Sequence, residues 1–248
     1  MAATVPLQPP LTRRTVRWLP ELTLVAALYG VYMAARAVIG VPVAEAEDRG
    51  ASILRLEEWA GLAVEAPLND WLTAVPAAGL VAAYLYATLH YLVTPGVLLW
   101  TAVRRRAGYR VERNALLAAT VLGLIGYWLL PTAPPRLIDA GLTDTMAAFS
   151  DAGWWGDAAS APRGMEGLSN QYAAMPSLHV GWAVWVALCV TRQASGAVAR
   201  RAVWAYPVLM SFVVMSTANH YLLDVLGGVA CAVAGAWLAR AADRRRAR

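Results

Sequence analysis

The chain has three histidines, His90, His179 and His220, and two of them open long apolar runs beside other reactive groups. His179 closes Ala174-Met175-Pro176-Ser177-Leu178-His179, and His220 begins His220-Tyr221-Leu222-Leu223-Asp224. The i, i+4 spacing of His220 and Asp224 puts both side chains on one face of a helix. A carboxylate there can hold an imidazole in one tautomer and support its positive charge, as a nucleophilic or acid–base histidine requires. Arg136, in Pro134-Pro135-Arg136, follows a third apolar run. An arginine fork binds phosphate oxygens bidentately and stabilises charge developing on them. One histidine can then attack phosphorus while the other protonates the leaving oxygen, so the set suits phosphoryl transfer better than carbonyl chemistry. Two histidines and an aspartate are also a zinc set. The ligand pattern is weak, however, with one histidine distant and no further ligand evident, so neither metal nor cofactor is expected.

Each residue alone has a plainer reading. A histidine at a helix start can simply bond a loop, Arg136 can anchor an interface, and Asp224 can be packed polar glue. Asp224 nevertheless sits one turn inside an apolar helix, where a carboxylate costs roughly 2.5–3.5 kcal/mol on insertion scales. That cost demands a partner, and His220 is the nearest.

Composition states what must hold these groups. Of 248 residues 59% are hydrophobic and 15% charged, and mean hydropathy is +0.47, whereas a soluble domain is about a quarter charged. An integral membrane protein is implied. The net charge of +5 does not argue for nucleic acid, because the basic residues are scattered between apolar runs. All 21 of them are arginine, which reads as codon bias, and Cys189 and Cys231 read as small buried hydrophobes. The runs cover residues 18–39, 71–103, 115–130, 179–191, 202–218 and 220–239. The first is too long for a cleaved signal core. In the second, Thr94-Pro95-Gly96 predicts a kink or break, and splitting it there would give seven spans. Gly227-Gly228 and Gly235 suit close helix packing in the last.

Arginine asymmetry favours six spans. Arg13, Arg14 and Arg17 precede the first run; Arg104, Arg105, Arg106, Arg110 and Arg113 separate the second and third. Arg192, Arg200 and Arg201 separate the fourth and fifth, and Arg240, Arg244, Arg245, Arg246 and Arg248 close the chain. Six spans put all four clusters on one side, which the positive-inside rule makes cytoplasmic. The expected architecture is one all-α domain over residues 1–248, a six-transmembrane-helix bundle in the cell membrane with cytoplasmic termini and a basic tail at 240–248. Arg136, His179 and His220 then meet at the extracytoplasmic face. On that face the acids of residues 44–68 alternate with Ile53, Leu54, Leu56, Trp59 and Leu62, as in an amphipathic interfacial helix or a solvated loop helix. Residues 138–170 form an outer loop in which Trp154-Trp155 serves as a substrate-binding lid or as an interfacial anchor.

Pro134-Pro135-Arg136, Pro176-Ser177-Leu178-His179 and His220-Tyr221-Leu222-Leu223-Asp224-Val225-Leu226-Gly227-Gly228 resemble the three ordered motifs of the type-2 phosphatidic acid phosphatase superfamily. The wording Pro131-Thr132-Ala133-Pro134-Pro135-Arg136 and Ala174-Met175-Pro176-Ser177-Leu178-His179 is most similar to its inositol phosphorylceramide synthase-like branch, common in actinobacteria. The resemblance covers residues 84–228, including Tyr84-Leu85-Tyr86-Ala87-Thr88-Leu89-His90. It implies a six-helix bundle that works without metal through a phosphohistidine. It implies His220 as nucleophile, Asp224 as its orienting partner, His179 as general acid and then base, and Arg136 and Ser177 as phosphate ligands. The chain departs from the pattern at Leu129, where a lysine is usual, and at Val213 and Val214, where serine and arginine are usual. Two cations are thereby lost, which leaves a singly charged phosphodiester as plausible a substrate as a dianionic monoester. The expected activity is a membrane lipid phosphotransferase, moving a phosphorylated head group from a donor such as phosphatidylinositol to an alcohol. The alternatives are a phosphatase, with water as acceptor and phosphatidate or a polyprenyl phosphate as substrate, and a non-catalytic lipid-binding or transport protein.

Overall fold

A computed structural model of the chain describes residues 23, 27, 30, 42–156, 163–164 and 170–248. The expected first span, residues 18–39, and parts of the 138–170 loop lie outside them. Among the described residues the protein is all-helical and has no strand. The helices are α1 (Val43–Trp59), α2 (Glu65–Ala74), α3 (Pro76–Arg104), α4 (Arg106–Leu129), α5 (Thr145–Ala148), α6 (Leu178–Gln193), α7 (Ala197–Ala202), α8 (Ala205–Ser216) and α9 (Leu222–Arg246). Three stretches are long and apolar enough to cross a membrane, namely α3, α7 with α8, and α9. α6, at 16 residues, is shorter than the roughly 20 that a crossing needs, and α4 carries Arg106, Arg110, Glu112 and Arg113 in its first turns.

Two sequence expectations are corrected. Of the two readings left open at Thr94-Pro95-Gly96, the run at 71–103 takes the unbroken one, since α3 continues through Pro95 to Arg104. It starts later than expected, with Pro76 in the first turn, where a missing N–H costs nothing; residues 71–74 belong to α2. The outer segment 44–68 is not one helix. Gly61, at φ +68°, takes the left-handed conformation that glycine adopts at little cost, and its N–H bonds the Glu58 carbonyl. The chain thus turns between α1 and α2, and each helix brings its own glutamate inward.

α9 lies against α4 and α6 over small residues. A Cβ on Gly235 would meet the backbone of Ala115 and Ala119 at 2.6–3.0 Å, and one on Gly228 would meet the Ser177 carbonyl at 2.2 Å. These glycines allow backbones to approach where larger residues would hold them apart. Val180, Ala183 and Val184 of α6 pack with Met210, Val213 and Val214 of α8 and with Tyr86 and Ala87 of α3. The arginine-rich ends of α4, α6 and α9 are joined by Arg110–Asp243 and Arg192–Glu112, both at 2.7 Å. The reactive residues gather at the opposite ends of these helices.

Trp155 is also reassigned. It is completely buried in the main apolar cluster and donates its indole N–H to the Met146 carbonyl at 2.9 Å. It is therefore a core residue, neither lid nor interfacial anchor, while Trp154 stays exposed.

Candidate active site

Backbone hydrogen bonds close the three motif segments into a ring. Thr132 and Ala173 form a parallel bridge, through Thr132 N–H to Tyr172 O at 2.8 Å and Ala174 N–H to Thr132 O at 3.2 Å. Arg136 N–H donates to Ala218 O, and Ser177 N–H to Asp224 O, each at 2.9 Å. Ala218 has φ 56°, a left-handed conformation that costs a non-glycine residue roughly 1–2 kcal/mol. That turn carries the chain from α8 into Asn219 and His220 and aims the Ala218 carbonyl at Arg136.

His220 is held at one ring nitrogen. Its Nδ1 lies 2.9 Å from the Ala174 carbonyl and 3.3 Å from Asp224 Oδ2. A carbonyl can only accept, so Nδ1 carries the proton and Nε2 keeps a lone pair. The carbonyl, which sequence spacing could not reveal, is the nearer partner. Asp224 is wholly buried, and its Oδ2 also accepts the Tyr221 N–H at 2.9 Å.

His179 stands on the first turn of α6, its ring centre 5.8 Å from that of His220. Tyr86 stacks on it at 4.5 Å and His90 meets it edge-on at 4.2 Å. Its Nε2 is buried without a hydrogen-bond partner among the described residues. Arg136 donates Nε–H to Asn219 Oδ1 at 3.0 Å and Nη1–H to Asp144 Oδ2 at 3.1 Å, so the guanidinium is fixed before any ligand arrives. Asn219 and Asp144 were not singled out from sequence. Asn219 at least stood next to His220, whereas Asp144 looked like one more outer acid. Ser177 is buried and caps α6, its Oγ accepting the Val180 N–H at 3.5 Å; it shapes the turn under His179 and is not on the cavity wall.

These groups surround a cavity of about 140 Å³ lined by Tyr86, Tyr127, Arg136, Gln171, His179 and His220, among others. Asn170 and Asn219 add amides to the wall, and Arg136 is its arginine. Leu129 points out from the end of α4, while Val213 and Val214 are buried in the core. None of the three positions that lack the expected polar residues adds charge here. The site can therefore offer a nucleophilic nitrogen, a second imidazole and one rigid guanidinium to a phosphoryl group.

Comparison with known families matches residues 51–238 to the PAP2 superfamily. The chain belongs to the PAP2 superfamily. Comparisons with curated proteins and with solved structures give no match. PAP2 members are typically phosphatases or phosphotransferases, which supports an enzyme of lipid phosphate chemistry. The PAP2 match begins within α1 and ends in α9, so it takes in the whole cavity together with α2 and the second half of α1.

Arg136→Lys is expected to lower kcat/KM by about 10²–10³, the cost of removing a fixed donor from developing charge. Lysine is a point charge and cannot satisfy Asn219, Asp144 and a phosphate oxygen in one planar fork. Steady-state turnover of a labelled lipid phosphate checks this, and a near-normal lysine enzyme would remove Arg136 from the phosphate site.

Proposed function

We propose that the protein is a membrane lipid phosphotransferase working through a phosphohistidine on His220. The observation that carries this reading is the bonding of His220 Nδ1 to Ala174 O and Asp224, which leaves Nε2 nucleophilic beside the cavity that Arg136 and His179 line. In the first step Nε2 forms a bond to phosphorus and the bond from phosphorus to the lipid oxygen breaks. His179 gives that oxygen its proton, and Arg136 binds the equatorial oxygens. In the second step an alcohol attacks the phosphohistidine, its proton returns to His179, and the N–P bond breaks. His220 is then neutral again with its proton on Nδ1. No step calls on a metal, since Arg136 supplies the positive charge.

A phosphodiester donor, of which phosphatidylinositol is one, fits the site better than a dianionic monoester. One guanidinium already shared with Asp144 meets a single negative charge more fully than two. Purified protein incubated in EDTA with labelled phospholipids is expected to release little head-group monophosphate to water, and to form a new phosphodiester when inositol, glycerol or a lipid alcohol is added. Brisk hydrolysis of phosphatidate or a polyprenyl phosphate, with no alcohol product, would make the enzyme a phosphatase. Turnover restored only by zinc or magnesium would require a metal, and no turnover on any lipid would leave a binding or transport protein.

We infer six spans with the cavity on the extracytoplasmic side, supported by the gathering of the arginine clusters at the far ends of α4, α6 and α9. In a background without Cys189 and Cys231, Asp151→Cys should react with impermeant maleimide on intact cells and Ala107→Cys should not. The reverse pattern would put the chemistry in the cytoplasm.

A further inference from the structure

Glu57 lies in the last turn of α1 and Glu65 opens α2, and both residues are buried almost completely, at 1% and 0% exposure. A membrane protein rich in exposed apolar surface gains nothing by burying two glutamates unless they have partners. Their partners are at the start of α9. Glu57 Oε1 accepts the Leu223 N–H and Glu65 Oε1 accepts the Leu222 N–H, each at 2.7 Å. Asp224 Oδ2 accepts the Tyr221 N–H at 2.9 Å. Three successive N–H groups, which a helix start would otherwise leave unsatisfied, thus end on three carboxylates from three helices. The Glu57 and Glu65 bonds reach across 166 and 157 residues of sequence.

The second oxygens tell more. Glu57 Oε2, Glu65 Oε2 and Asp224 Oδ1 are all buried without a donor among the described residues. Three full anions at one buried point exceed what a helix dipole, worth roughly half a charge, can balance. Two adjacent carboxyls resolve this by sharing one proton, which also gives both glutamate Oε2 atoms a partner. The groups facing the pair are Asp224 and Tyr221 at the start of α9, and each glutamate faces the other. Burial pushes the Glu57 carboxyl up to about 8, the Leu223 N–H opposes this, and the charge of Glu65 adds to it.

We propose that Glu57 and Glu65 are positioning residues that hold one proton between them and fix the start of α9, and with it His220 and Asp224. The proposal rests on the reading of His220 as nucleophile. It links the two outer helices mechanically to the reacting nitrogen, because His220 directly precedes the three N–H groups that the carboxylates hold. Loss of the shared proton places a further anion against Asp224 and forces the helix start apart. The proton favours the folded state, since Glu57 has a value raised above its ordinary 4.5. Its contribution is complete below about 4.5 and is lost as pH rises through about 8.

The test uses full-length protein in detergent, as wild type, Glu57→Gln, Glu65→Gln and Glu57→Ala. Thermal unfolding is followed from acid to mildly alkaline pH, across the interval from 4.5 to about 8, and turnover is measured with a labelled phospholipid donor and a polyol. Glutamine keeps an acceptor for Leu223 N–H and offers the neighbouring carboxylate a permanent donor. Glu57→Gln should therefore keep kcat close to wild type and unfold at a temperature that no longer falls between about pH 4.5 and 8. Glu57→Ala should lose about 100-fold in kcat with KM little changed, the cost of a reacting group displaced by about 1 Å. A glutamine variant as damaged as alanine, an alanine variant with normal kcat, or identical pH dependence of unfolding in wild type and Glu57→Gln would each overturn the proposal. If Glu57→Ala does not fold, the two glutamine variants still decide it. Absence of turnover in wild type would sink the proposed function instead, and the unfolding curves would judge the shared proton on their own.

Discussion

His220→Ala is expected to abolish turnover and to leave no phosphorylated protein when labelled donor is quenched under alkaline conditions. The expected loss is on the order of 10⁶ in kcat, the scale of removing the nucleophile from a concerted unit. The reason is geometric. Both acceptors near the ring meet Nδ1, so Nε2 is the nitrogen with a free lone pair at the cavity, and alanine supplies no substitute. Wild type should trap label at His220, located by peptide mapping. Label persisting in His220→Ala would move the nucleophile elsewhere, and His179 would be the first candidate, its Nε2 having no partner among the described residues.

His179→Ala should cost about 10²–10⁴ in kcat with a natural lipid donor, the usual worth of a positioned general acid–base. The loss should split by step. A donor with an activated phenolic leaving group needs no protonation, so the mutant should still form the phosphohistidine at a useful rate. The acceptor alcohol would then lack its base, and label should accumulate on His220 instead of turning over. Quench-flow measurements of trapped label against product separate the two steps. Equal loss with natural and activated donors would mean that His179 supports the site without moving a proton. The double variant His179→Ala, His220→Ala should be no worse than His220→Ala alone, because the two act as one unit.

Much of this site was legible in the chain itself. The i, i+4 spacing of His220 and Asp224 predicted a pair on one helix face. His220 instead stands just before α9, which starts at Leu222. The two side chains still meet at 3.3 Å, because Asp224 in the first turn reaches back over the helix start. The apolar runs gave the helices on either side of the site, since their length and composition answer to a solvent, not to a neighbour. Boundaries that depend on single residues were less legible. Pro95 reads as a kink or a break, and only the structure shows that α3 runs on through it, as surrounding helices can re-satisfy the freed backbone group. The acids of residues 44–68 read as a solvated face, since nothing in an amphipathic pattern separates a glutamate facing water from one facing a helix end.

Sequence by itself determined the candidate site residues, the helices next to them, and the family motifs. Those rest on residue type and short-range periodicity. Only the tertiary structure decided what each side chain meets. It put the Ala174 carbonyl on His220 Nδ1, Asn219 and Asp144 on Arg136, Ser177 under the turn of α6, and Trp155 in the core. It also brought Glu57 and Glu65 onto the first N–H groups of α9. Each of these pairings joins residues through a backbone group or across a distance in sequence that carries no periodic signal. A backbone carbonyl or N–H is the same in every residue but proline, so the sequence cannot name it until the fold has chosen its partner.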